Sequence, residues 1–373
     1  MTDKRTLVRR VTQAVVAVAL VGAGNAAVSR PPAHAADDGS SVVAVDARTP
    51  HVLVVTAQHL SVLDARTGRL LRTTWMAGAT PSAVVVDERT QRAFLANPAA
   101  NSVSVFDTGR GTLVRQVRVG AGPSALAVDA STNQVFVANT LGNSVSMLDA
   151  RGGPAVRTVG VGRAPTALGV DTQTQRVFVA NINDTCVTVL DTVTGAVLGS
   201  VVVGLSPAAV AVDAGTGHVF VASPGDNTVS MLDAARGTLL RTVSVGRTPF
   251  AVAVDAGTGH VFVSNPGSNT VSVLDGYRGT VVRTVRVGAT PQAVAVDAHS
   301  GRVFVVNSGS NTVSVLAVAT SAVRRTVSVG MTPLRVVVDS RSGLTFVAHA
   351  HGHTVSVLDA AGGSLVQTTT VGA

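Results

Sequence analysis

The sequence has very few of several residue types on which common sites and cross-links depend. Its 373 residues include one cysteine, one tryptophan and one tyrosine, and aromatic residues make up only 3% of the chain. Lys4 is the only lysine and Glu88 the only glutamate. Because Cys186 is the only cysteine, no intrachain disulfide can form and stability must come from packing. Schiff-base catalysis is excluded beyond residue 4, because no lysine follows.

The charge balance argues against a nucleic-acid partner. The formal net charge is +8, but five basic residues and one acidic residue lie within positions 1–35, so the remainder carries 24 basic and 20 acidic groups, about +4. Single-strand binders stack bases on aromatic side chains along a basic groove. With so few aromatic residues and so small a basic excess, nucleic-acid binding is not expected.

Residues 1–35 have the features of a signal peptide. A basic segment that includes Arg9 and Arg10 precedes a Val- and Ala-rich stretch, and Ala33-His34-Ala35 forms an A-x-A cleavage signature. We therefore expect an exported mature chain, 36–373, without a transmembrane span. A retained N-terminal anchor is the alternative, and the choice between the general secretory and twin-arginine routes stays open.

A 42-residue period runs through the rest of the chain. It is marked by prolines at identical spacing: Pro81, Pro123, Pro165, Pro207, Pro249, Pro291 and Pro333. An additional copy without the proline precedes them, which gives eight units: 40–80, 81–122, 123–164, 165–206, 207–248, 249–290, 291–332 and 333–373. Residues 209–221 and 251–263 are identical, which indicates internal duplication.

Each unit contains four short Val-rich runs separated by Gly, Asn, Asp and Pro. In the unit that begins at Pro249 the runs are 251–255, 260–265, 270–275 and 281–287. Runs of this length between turn residues predict β-strands. Four antiparallel strands repeated eight times predict an all-β fold, a single β-propeller of eight blades, with seven blades as the alternative. With the first strands at the axis, the first and last blades would close the ring without sharing a strand.

Residues that recur in every blade are expected to serve the fold. A phenylalanine occupies one position of the second run in seven units and predicts the core between blades: Phe94, Phe136, Phe178, Phe220, Phe262, Phe304 and Phe346. Aspartates end the first and third runs, where we expect them to cap turns. Six arginines recur in the fourth runs: Arg72, Arg115, Arg157, Arg241, Arg283 and Arg325. They predict either protection of the outer edge strands or a polyanion-binding belt.

The second and third runs resemble the YVTN family of β-propeller repeats. The similarity is carried by Val-Phe-Val-Ala-Asn at 135–139 and Asn-Thr-Val-Ser-Val-Leu-Asp at 269–275, and it extends over essentially 40–373. Phenylalanine stands where the family motif has tyrosine. The resemblance implies a propeller outside the cytoplasm, often with a binding or surface role, and it transfers no catalytic residues.

Candidate ligand-binding residues are those that differ between blades near one rim. Asp184 and Asp226 hold the same loop position in neighbouring units, either as solvated loop residues or as a carboxylate pair. Arg163 and Arg247 follow the glycine that ends a fourth run, and Arg335 follows Pro333; together they predict an anion-binding mouth. Phe250 and Gln292 belong to the residues that open the first runs and differ from blade to blade, where axial specificity is expected.

Four histidines form the candidate metal site. His349, His351 and His353 replace the usual loop residues of the last unit, and ring closure would bring them towards His59 of the first unit. Imidazoles near one seam could bind a transition metal. The alternative is that histidine replaces asparagine as a turn residue.

The leading hypothesis is a secreted or cell-surface, monomeric, non-enzymatic propeller. It would bind a protein or a small, anionic ligand through its loop rim. The rival hypothesis is an enzyme, such as a metal-assisted or lactonase-like hydrolase with its site at the axial mouth.

Overall fold

The protein is an eight-bladed β-propeller, as the 42-residue period predicts. The computed structural model describes residues 41–46, 48–56, 58–76, 81–350 and 353–372, and these form eight four-stranded antiparallel sheets. The expected signal peptide at 1–35 lies outside the described residues. Within the described ranges, no helix has the length and apolar character needed to span a membrane.

Each blade is built from four consecutive strands. The first strands are β1 (Val42–Asp46), β5 (Ala83–Asp87), β9 (Pro123–Asp129), β13 (Pro165–Asp171), β17 (Ala209–Asp213), β21 (Ala251–Asp255), β25 (Pro291–Asp297) and β29 (Pro333–Asp339). The second strands are β2 (His51–Thr56), β6 (Arg92–Asn97), β10 (Gln134–Asn139), β14 (Arg176–Asn181), β18 (His218–Ser223), β22 (His260–Asn265), β26 (Arg302–Asn307) and β30 (Leu344–His349).

The outer half of each blade is made by the third and fourth strands. The third strands are β3 (His59–Asp64), β7 (Ser102–Asp107), β11 (Ser144–Asp149), β15 (Cys186–Asp191), β19 (Thr228–Asp233), β23 (Thr270–Asp275), β27 (Thr312–Ala317) and β31 (Thr354–Asp359). The fourth strands are β4 (Leu70–Trp75), β8 (Thr112–Arg118), β12 (Ala155–Gly160), β16 (Val197–Val202), β20 (Thr238–Ser244), β24 (Thr280–Arg286), β28 (Val323–Ser328) and β32 (Leu365–Thr370). A 3-10 turn, Pro266–Ser268, lies in blade 6.

Aspartate side chains fix the tight turns, as the repeat pattern predicts. In blade 6, Asp255 pairs with His260 at the end of the first hairpin, and the Thr258 hydroxyl donates to Asp255 Oδ2 at 2.6 Å. Gly259 has φ +70°, a conformation that suits glycine. The third-strand aspartates cap turns in the same way, since Asp275 Oδ1 accepts hydrogen bonds from the backbone N–H of Tyr277 and of Arg278. Hydrogen bonds from the Arg278 backbone and side chain hold the pKa of Asp275 below its usual value.

The core lies between neighbouring blades. All seven phenylalanines of the repeated position are fully buried. Phe178, for example, packs in one cluster with Val210 and Val219 of the next blade. Burial of one such side chain stabilises the fold by about 1.5–3 kcal/mol. The predicted role of the phenylalanine series as inter-blade core is therefore confirmed.

The ring closes without a shared strand, because blades 1 and 8 each supply all four of their own strands. Their first strands, β1 and β29, lie against each other at the axis. The seam is tied by the Ser41 hydroxyl, which donates to the His349 carbonyl at 2.8 Å. Near the outer edge, Gln367 Nε2 donates to the Thr67 carbonyl at 2.7 Å and the Thr369 hydroxyl to the Gly68 carbonyl at 2.8 Å.

The fourth-strand arginines connect blades, a role that the sequence did not predict. The guanidinium groups of four of them donate to a carbonyl in the turn between third and fourth strands of the next blade: Arg72 to Gly109, Arg115 to Gly152, Arg157 to Thr194 and Arg283 to Thr320. Gln367 occupies the same position in blade 8 and makes the same type of contact across the closing seam. These side chains therefore join outer edges of adjacent blades.

Candidate functional site

The first strands enclose a cavity of about 570 Å³ at the axis of the ring. It is lined by first-strand residues of blades 1, 2, 3, 6, 7 and 8. The cavity extends from Ser82 and Arg335, near the beginnings of their strands, to Glu88 and Arg89, just beyond a strand end. Its volume lies within the roughly 300–1,000 Å³ typical of small-molecule sites. The cavity is the candidate site.

The cavity wall is mostly small and aliphatic, and its polar residues are Ser82, Asp87, Glu88, Arg89 and Arg335. The first strands contribute mainly valine and alanine, such as Ala44, Val254 and Val296. These three side chains are half-buried, because the first strands have no further sheet on their axial side. The side chains of such a wall suit an apolar ligand body.

Arg335 is a charged residue at a first-strand position that is aliphatic in the other blades. Four residues before the first-strand aspartate, the other units have Val42 or an alanine: Ala83, Ala125, Ala167, Ala209, Ala251 and Ala293. Arg335 is only 6% exposed, and its Nε and Nη2 have no hydrogen-bond partner within the described part of the chain. Burial lowers the pKa of Arg335 to about 9, so the guanidinium carries its charge at neutral pH.

The structure separates the three arginines of the predicted anion-binding mouth. Arg163 and Arg247 are exposed on the loop rim, the end of the propeller formed by the loops between second and third strands and the connections between blades. Arg335 lies instead in the buried wall of the cavity. Phe250 and Gln292 are half-buried at the beginnings of their first strands and do not line the cavity. Of the variable residues that open first strands, Ser82 does line it.

Asp184 and Asp226 bind backbone on the loop rim. Asp184 Oδ2 accepts from the Arg163 backbone N–H at 2.6 Å, and Asp226 Oδ2 accepts from that of Leu205 at 3.1 Å. In the next two blades, Ser268 and Ser310 accept equivalent bonds. This arrangement corresponds to the loop interpretation of the two carboxylates, since each is used to fasten an inter-blade connection.

His349 takes the place of a recurring buried asparagine. In five other blades the amide of that asparagine donates to a third-strand hydroxyl, as Asn139 Nδ2 does to Ser146 at 3.0 Å. His349 is buried, and its Nε2 lies 3.0 Å from the Ser356 hydroxyl at the equivalent place. His349 thus replaces asparagine in a structural contact.

The other candidate metal ligands are arranged separately. The ring of His59 packs edge-on against Trp75, with 4.9 Å between ring centroids. His353 is exposed with φ +43°, and His351 lies outside the described residues. Among residues that the structure places, no group of three or more His, Cys, Asp or Glu side chains is arranged to hold a metal ion. The metal site stays a prediction.

His349 should make stability depend on pH as the pH falls below about 6.5. Burial lowers its pKa below the ordinary value of 6.5, although the backbone of Gly330 and Met331 counters part of the shift. The unfolded chain therefore takes up this proton at higher pH than the folded chain. The stabilisation is complete above pH 6.5 and is lost as the pH falls. Urea unfolding of the wild type should show this loss, whereas His349→Asn, which restores the residue of the other blades, should remove it; an equal slope in both proteins would contradict the assignment.

Comparison with known proteins supports the fold alone. No protein-family model matches the chain, and no curated protein matches it. Among solved structures, the computationally designed Ika8 protein is similar with a TM-score of 0.71 and 18% identity, covering 86% of this chain and 96% of that one. Dihydro-heme d1 dehydrogenase NirN in complex with DHE is similar with a TM-score of 0.70 and 15% identity, covering 92% of this chain and 75% of that one. A functionally unknown protein from Desulfotomaculum acetoxidans DSM 771 is similar with a TM-score of 0.62 and 15% identity, covering 74% of this chain and 95% of that one.

Proposed function

We propose that the mature chain is an exported, YVTN-type propeller that acts by binding a small ligand in its axial cavity rather than by catalysis. The observation that carries this proposal is the cavity of about 570 Å³ with aliphatic walls from six blades. The loop rim expected from the sequence supports binding less well, because Asp184 and Asp226 are engaged by backbone donors.

The use of the carboxylates supports binding over hydrolysis. All fifteen aspartates that end first and third strands at the repeated positions accept hydrogen bonds from their own turns, as Asp64 does from the N–H of Arg66 and Thr67. A glycosidase, by comparison, needs two carboxylates directed at one bond. Here these groups are committed to turns.

A neutral fluorescent probe tests the cavity. N-phenyl-1-naphthylamine gains fluorescence on entering an apolar site, and the purified mature chain is expected to bind it with saturation. Val254→Trp would fill part of the cavity and should abolish this binding. Val282→Trp is the matched control, because Val282 is exposed on the outer strand β24 of the same blade.

The proposal fails if the probe does not bind, or if Val254→Trp and Val282→Trp bind it equally. Ala44→Phe narrows the cavity from blade 1 and provides the same test should Val254→Trp not fold. Export is tested separately: the secreted protein should begin at Ala36, and retention of residues 1–35 would contradict cleavage.

A further inference from the structure

We propose that the axial cavity is a site for an amphiphilic organic anion, whose single carboxylate, sulfonate or phosphate group pairs with Arg335 and whose apolar body lies along the valine and alanine wall. This inference rests on the proposed binding function and specifies its ligand. It concerns a residue that the repeat itself does not require, since the other blades have alanine or valine at this position.

The first support is an uncompensated charge. Arg335 is buried and two of its guanidinium nitrogens, Nε and Nη2, have no hydrogen-bond partner among the described residues. Buried polar groups are nearly always hydrogen-bonded, and buried charges are normally paired. A guanidinium presents adjacent N–H donors that match the two oxygens of an anionic group. An anion at this point of the cavity would complete the missing contacts.

The second support is the wall around that charge. Arg335 is followed along β29 by Val336, Val337 and Val338, all of which line the cavity. The lining residues that blades 6 and 7 contribute are alanines and valines. The valine and alanine side chains of this surface offer no hydrogen bonds to a sugar or a peptide. It can bury an aliphatic or aromatic body, which favours an amphiphile over inorganic phosphate.

The experiment compares two probes that share their aromatic rings. 8-Anilinonaphthalene-1-sulfonate is anionic, and N-phenyl-1-naphthylamine is neutral. The wild type is expected to bind the sulfonate about 10- to 100-fold more tightly than the amine, the range for a charged hydrogen bond. Arg335→Met keeps the length of the side chain without its charge. It should abolish this preference while retaining binding of the neutral amine.

Arg324→Met, on the exposed outer strand β28, is the matched control for general positive charge, and it should retain the preference. Equal loss in Arg324→Met and Arg335→Met would overturn the assignment to Arg335, as would a preference that survives in Arg335→Met. Asp37 and Asp38 are the acidic residues that follow the expected cleavage site. A tenfold gain in sulfonate affinity in an Asp37→Asn, Asp38→Asn double variant would also overturn the proposal, because it would mean that these carboxylates of the chain occupy the site in the wild type. Binding of the amine without any preference for the sulfonate would refute the anion site and leave the proposed cavity function intact. If neither probe binds, both proposals fail.

Discussion

Replacing Arg335 with methionine is expected to raise the free energy of unfolding of the ligand-free protein by about 1–4 kcal/mol. The wild-type guanidinium is buried, and its Nε and Nη2 lack partners in the described part of the chain. Desolvation of such a charge is unfavourable, and it is not offset by an ion pair. Methionine fills similar space without that penalty. Urea unfolding of extensively dialysed protein measures the change.

The control for this substitution is Arg324→Met on the exposed outer strand β28. Surface substitutions of this kind change stability by about 0.5 kcal/mol or less. If Arg335→Met instead destabilises the protein by more than the control does, Arg335 has a counter-charge in the free protein. A residue that is needed for binding and not for folding is expected to make the protein more stable when it is removed.

Replacing Phe346 with alanine is expected to lower the free energy of unfolding by about 3–5 kcal/mol. Phe346 is fully buried and packs with Val43, Val54 and Leu63 of blade 1 across the closing seam. Chemical denaturation measures the loss. Because blades 1 and 8 share no strand in the described part of the chain, the variant should also open locally at this seam.

Phe178→Ala provides the matched comparison, since Phe178 packs between blades 4 and 5, which the chain joins directly. Both variants should lose similar stability. Amide hydrogen exchange should differ between them: in Phe346→Ala, protection should fall first in blades 1 and 8. Equal exchange around the ring in both variants would show that the seam is not a point of weakness.

The architecture could be predicted from the sequence because each blade repeats the same local pattern. In blade 6 the predicted runs 251–255, 260–265 and 270–275 coincide with β21, β22 and β23, and the fourth is shifted by one residue to Thr280–Arg286. Strand propensity, turn aspartates and the phenylalanine position all indicate the same structure. Eight copies of the repeat reduce the effect of any single ambiguous position.

The candidate site could be predicted only in part, because it depends on contacts between blades. The fourth-strand arginines lie at outer edges as expected, but the turn carbonyls that they reach belong to the following blade, 37 residues along the chain. Likewise, the shared loop position of Asp184 and Asp226 is compatible with solvated loop residues or with a carboxylate pair, and it does not reveal that each binds a different inter-blade connection.

The sequence predicts the axial location of Arg335 but not its burial. When the units are aligned on Pro333, Arg335 falls among the rim residues. When they are aligned on Asp339, Arg335 falls on the position that holds a small first-strand residue in the other blades. The second alignment predicts an axial location. Its burial depends on the packing of β29 between its neighbours β1 and β25, which no local pattern specifies.

The most direct measurement of the anion site is a crystal structure of the mature chain with 6-bromo-2-naphthoate. The carboxylate should lie within about 3 Å of Arg335 Nε and Nη2, with the anomalous signal of the bromine located further along the axial cavity. The proposal would be contradicted by a carboxylate of the protein itself paired with Arg335, or by a bromine signal confined to the outside of the propeller.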